Sequence, residues 1–99
     1  MSQVFCHTLL GAVAANTTSG VCTHQDNVSR RTVYVSGAFD ADVKVEVSPD
    51  AEGETWFTAL VESSYGVFAC DVICRRLRAR VVNHVAGAVT VKILFASDL

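Results

Sequence analysis

The feature that most constrains the fold is an error-free alternation of apolar and polar residues in the middle of the chain. Val43, Val45 and Val47 lie on one side of an extended backbone, and the polar residues between them lie on the other. A period of two residues is typical of a half-buried antiparallel strand. A turn follows at once, because Pro49 fixes its own φ and Gly53 is free to adopt a positive φ. We therefore expect a β-strand that ends in a tight connection.

Similar runs recur along the chain at roughly ten-residue spacing. Strands are predicted over 31–36, 41–48, 55–61 and 67–73, with a shorter candidate over 21–24. Two clear strands follow near the C-terminus, and their inward positions are apolar: Leu77, Ala79, Val81, Val89, Val91, Ile93 and Phe95. Gly, Asn, Asp or Pro stands at most of the breaks. About seven to eight short strands of this kind predict an all-β fold, an antiparallel two-sheet β-sandwich or jelly roll.

The core is expected to combine the aliphatic positions of these strands with the single tryptophan. The predicted core residues are Val43, Val45, Val47, Val89, Val91, Ile93 and Trp56. Apolar residues alternate on both sides of Trp56, which favours its burial between the sheets. The alternative is an exposed ring that stacks on sugars, as in a carbohydrate-binding module.

The N-terminal segment, residues 1–15, is apolar and rich in alanine. We expect a strand followed by a loop, with a short helix over 9–15 as the alternative, ended by the polar residues 16–20. The segment is also a candidate arm that reaches a neighbouring subunit. No repeat or linker divides the chain, so residues 1–99 are predicted to form a single domain.

Composition limits the functional classes. Apolar residues make up 51% of the chain and charged residues only 18%, an apolar balance for so small a domain. No apolar run approaches the ~20 residues of a membrane span, so no membrane role is expected. Contact with other subunits is the better explanation, since permanent interfaces are unusually apolar. The net charge of −2 gives no reason to expect nucleic acid binding.

Charge is unevenly distributed along the chain. Seven of the ten acidic residues fall within 40–62, and four of the six arginines fall within 75–80. The four arginines are the candidate partner-docking strip: Arg75, Arg76, Arg78 and Arg80. An acidic edge and a basic edge fit docking between neighbours. The alternative is two solvated strand faces.

The cysteines and the acidic turn are the candidate chemical sites. Free buried thiols are favoured over two disulfides for the four cysteines: Cys6, Cys22, Cys70 and Cys74. The pairs Cys6-His7 and Cys22-Thr-His24 lack zinc-knuckle spacing. The acidic turn of Asp50, Glu52 and Glu54 lacks the calcium-loop pattern. We therefore expect no metal and no cofactor.

The chain has neither a Gly-x-Ser-x-Gly elbow nor a glycine-rich phosphate loop. The carboxylates of 40–46 alternate onto a polar strand face, where solvent-exposed acids are expected. No catalytic residue is predicted, and we expect a protein that is not an enzyme.

Four segments, 30–39, 43–57, 77–83 and 87–94, carry a resemblance to a known family. They read as a strand with a Ser-Gly turn, an alternating strand with a Trp-containing turn, an Arg-x-Arg strand and a Gly-x-Val-Thr-Val strand. This order resembles small β-sandwich virion structural proteins of tailed bacteriophages, over about residues 28–96. The chain departs from their pattern by inserting Ala51-Glu52 where a tight Asp-Gly is common, and by its four cysteines.

The resemblance implies a capsid cement or decoration protein that binds and stabilises the assembled phage head. Its implied partners are the major capsid protein or other virion proteins. It also implies a homo-oligomer, often a trimer, located on the particle surface after synthesis in the host cytoplasm. A head-fibre, neck or tail component is the alternative within this class, and a carbohydrate-binding β-sandwich is the alternative outside it.

Overall fold

The computed structural model describes residues 2–98, which form eight β-strands and one 3-10 turn at Gln25–Asn27. The strands are β1 (Ser2–Val13), β2 (Thr17–Thr18), β3 (Val28–Ser36), β4 (Phe39–Ser48), β5 (Phe57–Glu62), β6 (Gly66–Ala69), β7 (Arg76–Gly87) and β8 (Val89–Asp98). Sheet A has the order β1-β8-β3-β6, and sheet B has the order β2-β7-β4-β5. Every pairing is antiparallel. The predicted all-β, two-sheet sandwich is confirmed.

One bent ribbon connects the two sheets. β3 pairs with β8 in sheet A, and their continuations β4 and β7 pair with each other in sheet B. The bend lies at Gly37 and Gly87, which have φ of 115° and 82°. A Cβ on Gly37 would lie 2.2 Å from the Ala88 carbonyl oxygen, and one on Gly87 would lie 2.1 Å from the Ala38 carbonyl oxygen. Only glycine fits this crossing.

Both sheets contribute one face to a single core. The six aliphatic residues placed there by the sequence are buried: Val43, Val45, Val47, Val89, Val91 and Ile93. Leu77, Ala79 and Val81 of β7 complete the side of sheet B. Alternation therefore separates inward from outward residues on the central strands.

Trp56 does not belong to this core, contrary to the sequence prediction. It lies just before β5 in the connection that follows β4 and is only half-buried. Its ring instead covers arginine side chains on the outer surface of sheet B. Apolar neighbours in the sequence gave no sign of this, because residues 49–56 do not form a strand.

The N-terminal segment forms the predicted strand and is followed by a loop. β1 extends to Val13, so the helix considered over 9–15 is wrong. Residues 2–13 pair along β8, so they are part of sheet A and not a detached arm. The pairing is regular up to Thr8 and shifts register twice beyond it, where Ala12 has a φ of 50°. Two bulges break the alternation, which explains why the sequence pattern there was ambiguous.

Two other predicted strands are shorter than expected. The run 67–73 ends as a strand at Ala69, and residues 70–75 form a connection. The candidate over 21–24 contributes only a bridge between Cys22 and Leu77. These two segments meet at one end of the sandwich.

Arg31 holds that end closed. Its side chain is 1% exposed and lies on the inward face of β3. The guanidinium donates to Gln25 Oε1 and the Gln25 carbonyl, both at 3.0 Å, and to the Val72 carbonyl at 2.7 Å. A longer contact of 3.4 Å reaches the Cys70 carbonyl. The buried charge thus joins the 3-10 turn to the 70–75 connection.

Candidate functional site

The outward faces of the two sheets carry opposite chemistry. All seven acids of 40–62 belong to β4, β5 or the connection between them, and these elements lie in sheet B or beside it. Apart from Asp98 at the end of β8, no acidic residue belongs to a described strand of sheet A. The outward residues of sheet A instead include Arg30 and Lys92, together with exposed apolar side chains. We call this surface the outer face of sheet A.

Apolar side chains on this face reach from one edge of the sheet to the other. Val4 on β1 is 66% exposed, Tyr34 on β3 is 40% exposed and Val67 on β6 is 63% exposed. Their inward neighbours on β3, Val33 and Val35, are buried, so the alternation fixes which side chains face out. An exposed surface that combines apolar side chains with an arginine is typical of protein interfaces.

The predicted arginine strip lies on the outer face of sheet B and is mostly engaged within the molecule. Arg78 Nε lies 2.7 Å from Glu46 Oε1, and Arg80 Nη1 lies 3.3 Å from Glu46 Oε2. The Glu46 side chain is only 8% exposed. This carboxylate therefore sits between two cations beneath the surface.

Arg76 is also unsuited to docking, because it is buried against the connection after β4. It donates to the carbonyl oxygens of Asp50 at 2.8 Å and Gly53 at 2.9 Å, and to Ser48 Oγ at 3.1 Å. Trp56 covers the guanidinium groups from outside. Its ring centre lies 4.7 Å from Cζ of Arg76 and 4.2 Å from Cζ of Arg78. Cation–π contacts of this kind stabilise a partly desolvated pair.

The docking strip is therefore smaller than the sequence indicated. Arg76 and Arg78 make contacts within the molecule that stabilise the fold, while Arg75 is exposed and Arg80 is partly exposed. Arg76, Arg78 and Arg80 do face outward, since they alternate with the buried Leu77, Ala79 and Val81. No sequence pattern predicted that residues 49–56 fold back over Arg76 and Arg78.

The same contacts change the interpretation of Trp56 and of the acidic turn. The indole ring is covered by two guanidinium groups, so it is not a free platform for stacking a sugar. Asp50, Glu52 and Glu54 are exposed in the connection. Among the residues that the structure describes, no three His, Cys, Asp or Glu side chains are grouped to hold a metal ion.

All four cysteines are free thiols, but they are not all buried. Cys70 and Cys74 are buried near Arg31, and Cys22 is half-buried. Burial raises the pKa of these three thiols above the ordinary value, although the positive charge of Arg31 lowers the pKa of Cys70 and Cys74 in part. Cys6 is exposed, contrary to prediction, because it points outward from the edge strand β1.

An aromatic cluster lines the inner side of the same edge. The rings of Phe5 and Phe95 stack with centres 5.5 Å apart, and His7 stacks on Phe95 at 5.9 Å. These residues lie beside a groove of about 420 Å³ whose other wall is the segment from Val21 to Val28. No sequence motif predicted this cluster. The one sequence feature that could have indicated it is the absence of charged residues over positions 1–15.

No described helix is long and apolar enough to cross a lipid bilayer.

Comparison with known proteins gives a structural likeness. No family model matches the chain, and no curated protein matches it. Among solved structures, the SPBc2 prophage-derived protein YomS is similar, with a TM-score of 0.80 and 16% sequence identity. The alignment covers 98% of this chain and 96% of that one. At this identity the likeness shows a shared fold over nearly the whole of both chains.

Proposed function

We propose that this chain is a non-enzymatic structural protein of a bacteriophage particle, and that it binds the assembled head as a cement or decoration protein. The observation that carries the proposal is the fold likeness to a prophage-derived protein over nearly the full length of both chains. The resemblance of residues 28–96 to small virion proteins supports it independently of the fold comparison.

The proposed partner is the major capsid protein, or another protein of the particle, at the virion surface. The outer face of sheet A is the proposed contact, because it combines exposed Tyr34 and Val67 with the cations of Arg30 and Lys92. Such a face suits an acidic patch with apolar groups on the partner. The remaining exposed arginine, Arg75, lies outside this face and is not required for the contact.

The mechanism follows from binding equilibria. A protein that binds the assembled shell better than loose subunits shifts the equilibrium toward the shell by linkage. Each contact can be weak, because many copies act on one particle. No cofactor and no chemical step are needed for this role.

Co-sedimentation with shells tests the proposal. Shells and unassembled subunits of the major capsid protein from the same genome are mixed with the purified protein. We expect saturable binding to shells and much weaker binding to subunits. Val67→Lys should reduce shell binding, whereas Ile73→Lys should not, because Ile73 is 92% exposed but lies in the 70–75 connection. Equal binding of both variants would contradict the proposed face.

The alternative place in the particle is the head fibre, neck or tail. In that case the protein would not sediment with shells but would be recovered with isolated tails or necks. Recovery with neither fraction would contradict a structural role in the particle altogether.

A further inference from the structure

β1 is an unusually open sheet edge. One side of the strand pairs with β8, and no described strand pairs with the other. Its 12 residues contain no Lys, Arg, Asp, Glu or Pro. Soluble proteins normally protect long edges with charges, prolines or short strands, because exposed N–H and C=O groups invite pairing with another chain.

The other three edges are protected in these ways. β2 has two residues and β6 has four. β5 has six residues, ends at Glu62 and follows an acidic connection that contains Glu52 and Glu54. Among the described strands, β1 therefore stands apart as a long edge without a charge.

Exposed apolar groups lie along both faces of this edge. Val4 is 66% exposed on the outer face, and Phe5 is 40% exposed on the inner side. Phe5 also belongs to the aromatic cluster with His7 and Phe95, beside the groove. A strand added next to β1 would cover the edge and both sets of side chains together.

We propose that the added strand is β1 of a second copy of this chain, paired antiparallel across a two-fold axis. The segment 2–8 is suited to this, because its pairing with β8 is regular before the register shifts. The two copies of sheet A then form one continuous eight-stranded sheet. An axis perpendicular to the sheet keeps each face on the same side, so the two aromatic clusters adjoin each other.

Self-pairing is favoured because an antiparallel two-fold contact pairs residue i with residue j of the copy, and j with i, so that all cross-strand pairs come from this one segment. A segment with charges of a single sign would therefore place like charges together, which is destabilising. β1 has no charged residue and is compatible with its own copy. This inference does not rest on the proposed function, and both can be tested separately because self-association needs only the purified chain.

Sedimentation velocity and light scattering on two matched variants test the proposal. Val4→Lys introduces a charge on β1, and Val67→Lys introduces the same charge on β6, at the opposite edge of the same face. Both sites are well exposed, so both variants should keep the fold of the parent chain. We expect a dimer for the parent, an unchanged dimer for Val67→Lys, and a dissociation constant raised about tenfold or more for Val4→Lys.

Crosslinking gives a second, independent measurement. Cys6 is exposed and shares the outward side of β1 with Val4. A short bis-maleimide should therefore capture a covalent dimer of the parent chain, and Cys6→Ser should abolish that product. A monomer or a trimer in solution, equal weakening by both lysine variants, or a crosslinked dimer that persists in Cys6→Ser would overturn the proposal.

Discussion

Replacing Arg31 by methionine should be one of the most destabilising single changes in this chain. Methionine has a similar length and fills much of the same space, but it donates no hydrogen bond. The change removes donors from the Gln25 side chain and from the Gln25 and Val72 carbonyls. The Arg31 side chain is 1% exposed, so water does not readily replace it.

The magnitude follows from the groups left unsatisfied. Each buried acceptor without a donor costs about 1–3 kcal/mol, and the desolvation of the charge that is removed offsets part of the sum. We expect a net loss of about 3–5 kcal/mol in the free energy of unfolding. A domain of this size has about 5–15 kcal/mol in total, and each kcal/mol shifts Tm by about 4–8 °C. The variant should therefore melt at least about 12 °C lower.

Urea unfolding and calorimetry measure this loss, with Arg30→Met as the matched control. Arg30 is the preceding residue on β3 and points to the exposed outer face, so its replacement should change stability by less than about 0.5 kcal/mol. If Arg31→Met and Arg30→Met unfold within about 0.5 kcal/mol of each other, the role of Arg31 in closing the sandwich is wrong.

Four further predictions concern other parts of the fold. Gly87→Ala should destabilise the protein by more than about 2 kcal/mol in urea unfolding, because its φ is 82° and a Cβ would meet backbone atoms, whereas Gly20→Ala, with open space around it, should not. Glu46→Ala should cost about 2–3 kcal/mol, since it leaves two arginines without their carboxylate, and the loss should persist in high salt because that carboxylate is shielded from solvent. Cys6 should react with a thiol reagent much faster than Cys70 in the folded protein, and equal rates would contradict the burial of Cys70. Burial raises the pKa of Cys70 above its ordinary 9.0, so this thiol should favour folding below pH 9 and lose that contribution as pH rises further, which a series of melts at increasing pH measures.

The alternation of apolar and polar residues was sufficient to predict the central strands and their buried faces. Val43, Val45 and Val47 alternate with polar groups and are buried, as the sequence predicted, because one sheet face must be covered. The same rule failed for β1, where bulges after Thr8 interrupt the alternation. Pattern arguments also cannot identify the partner of a strand, so the bent ribbon through Gly37 was not predicted.

The candidate site and the contacts of Arg31 and Trp56 were harder to predict, because they bring together residues that are far apart in the sequence. Arg31 lies on the same side of β3 as Val33 and Val35, but a buried arginine needs acceptors, and one of these, the Val72 carbonyl, lies 41 residues further along the chain. Trp56 appeared to be a core residue by its neighbours, yet it covers Arg78 on the outer surface. Neither set of contacts leaves a local pattern in the sequence.

Quantitative mass spectrometry of purified phage particles tests the central claim most directly. Particles produced from the genome that carries this chain are separated into heads and tails, and each fraction is analysed with isotope-labelled peptides of the chain as standards. The account predicts many copies per particle, retained with heads after the tails are removed. Absence of the chain from purified particles, while it is present in the infected or induced cell, would contradict it.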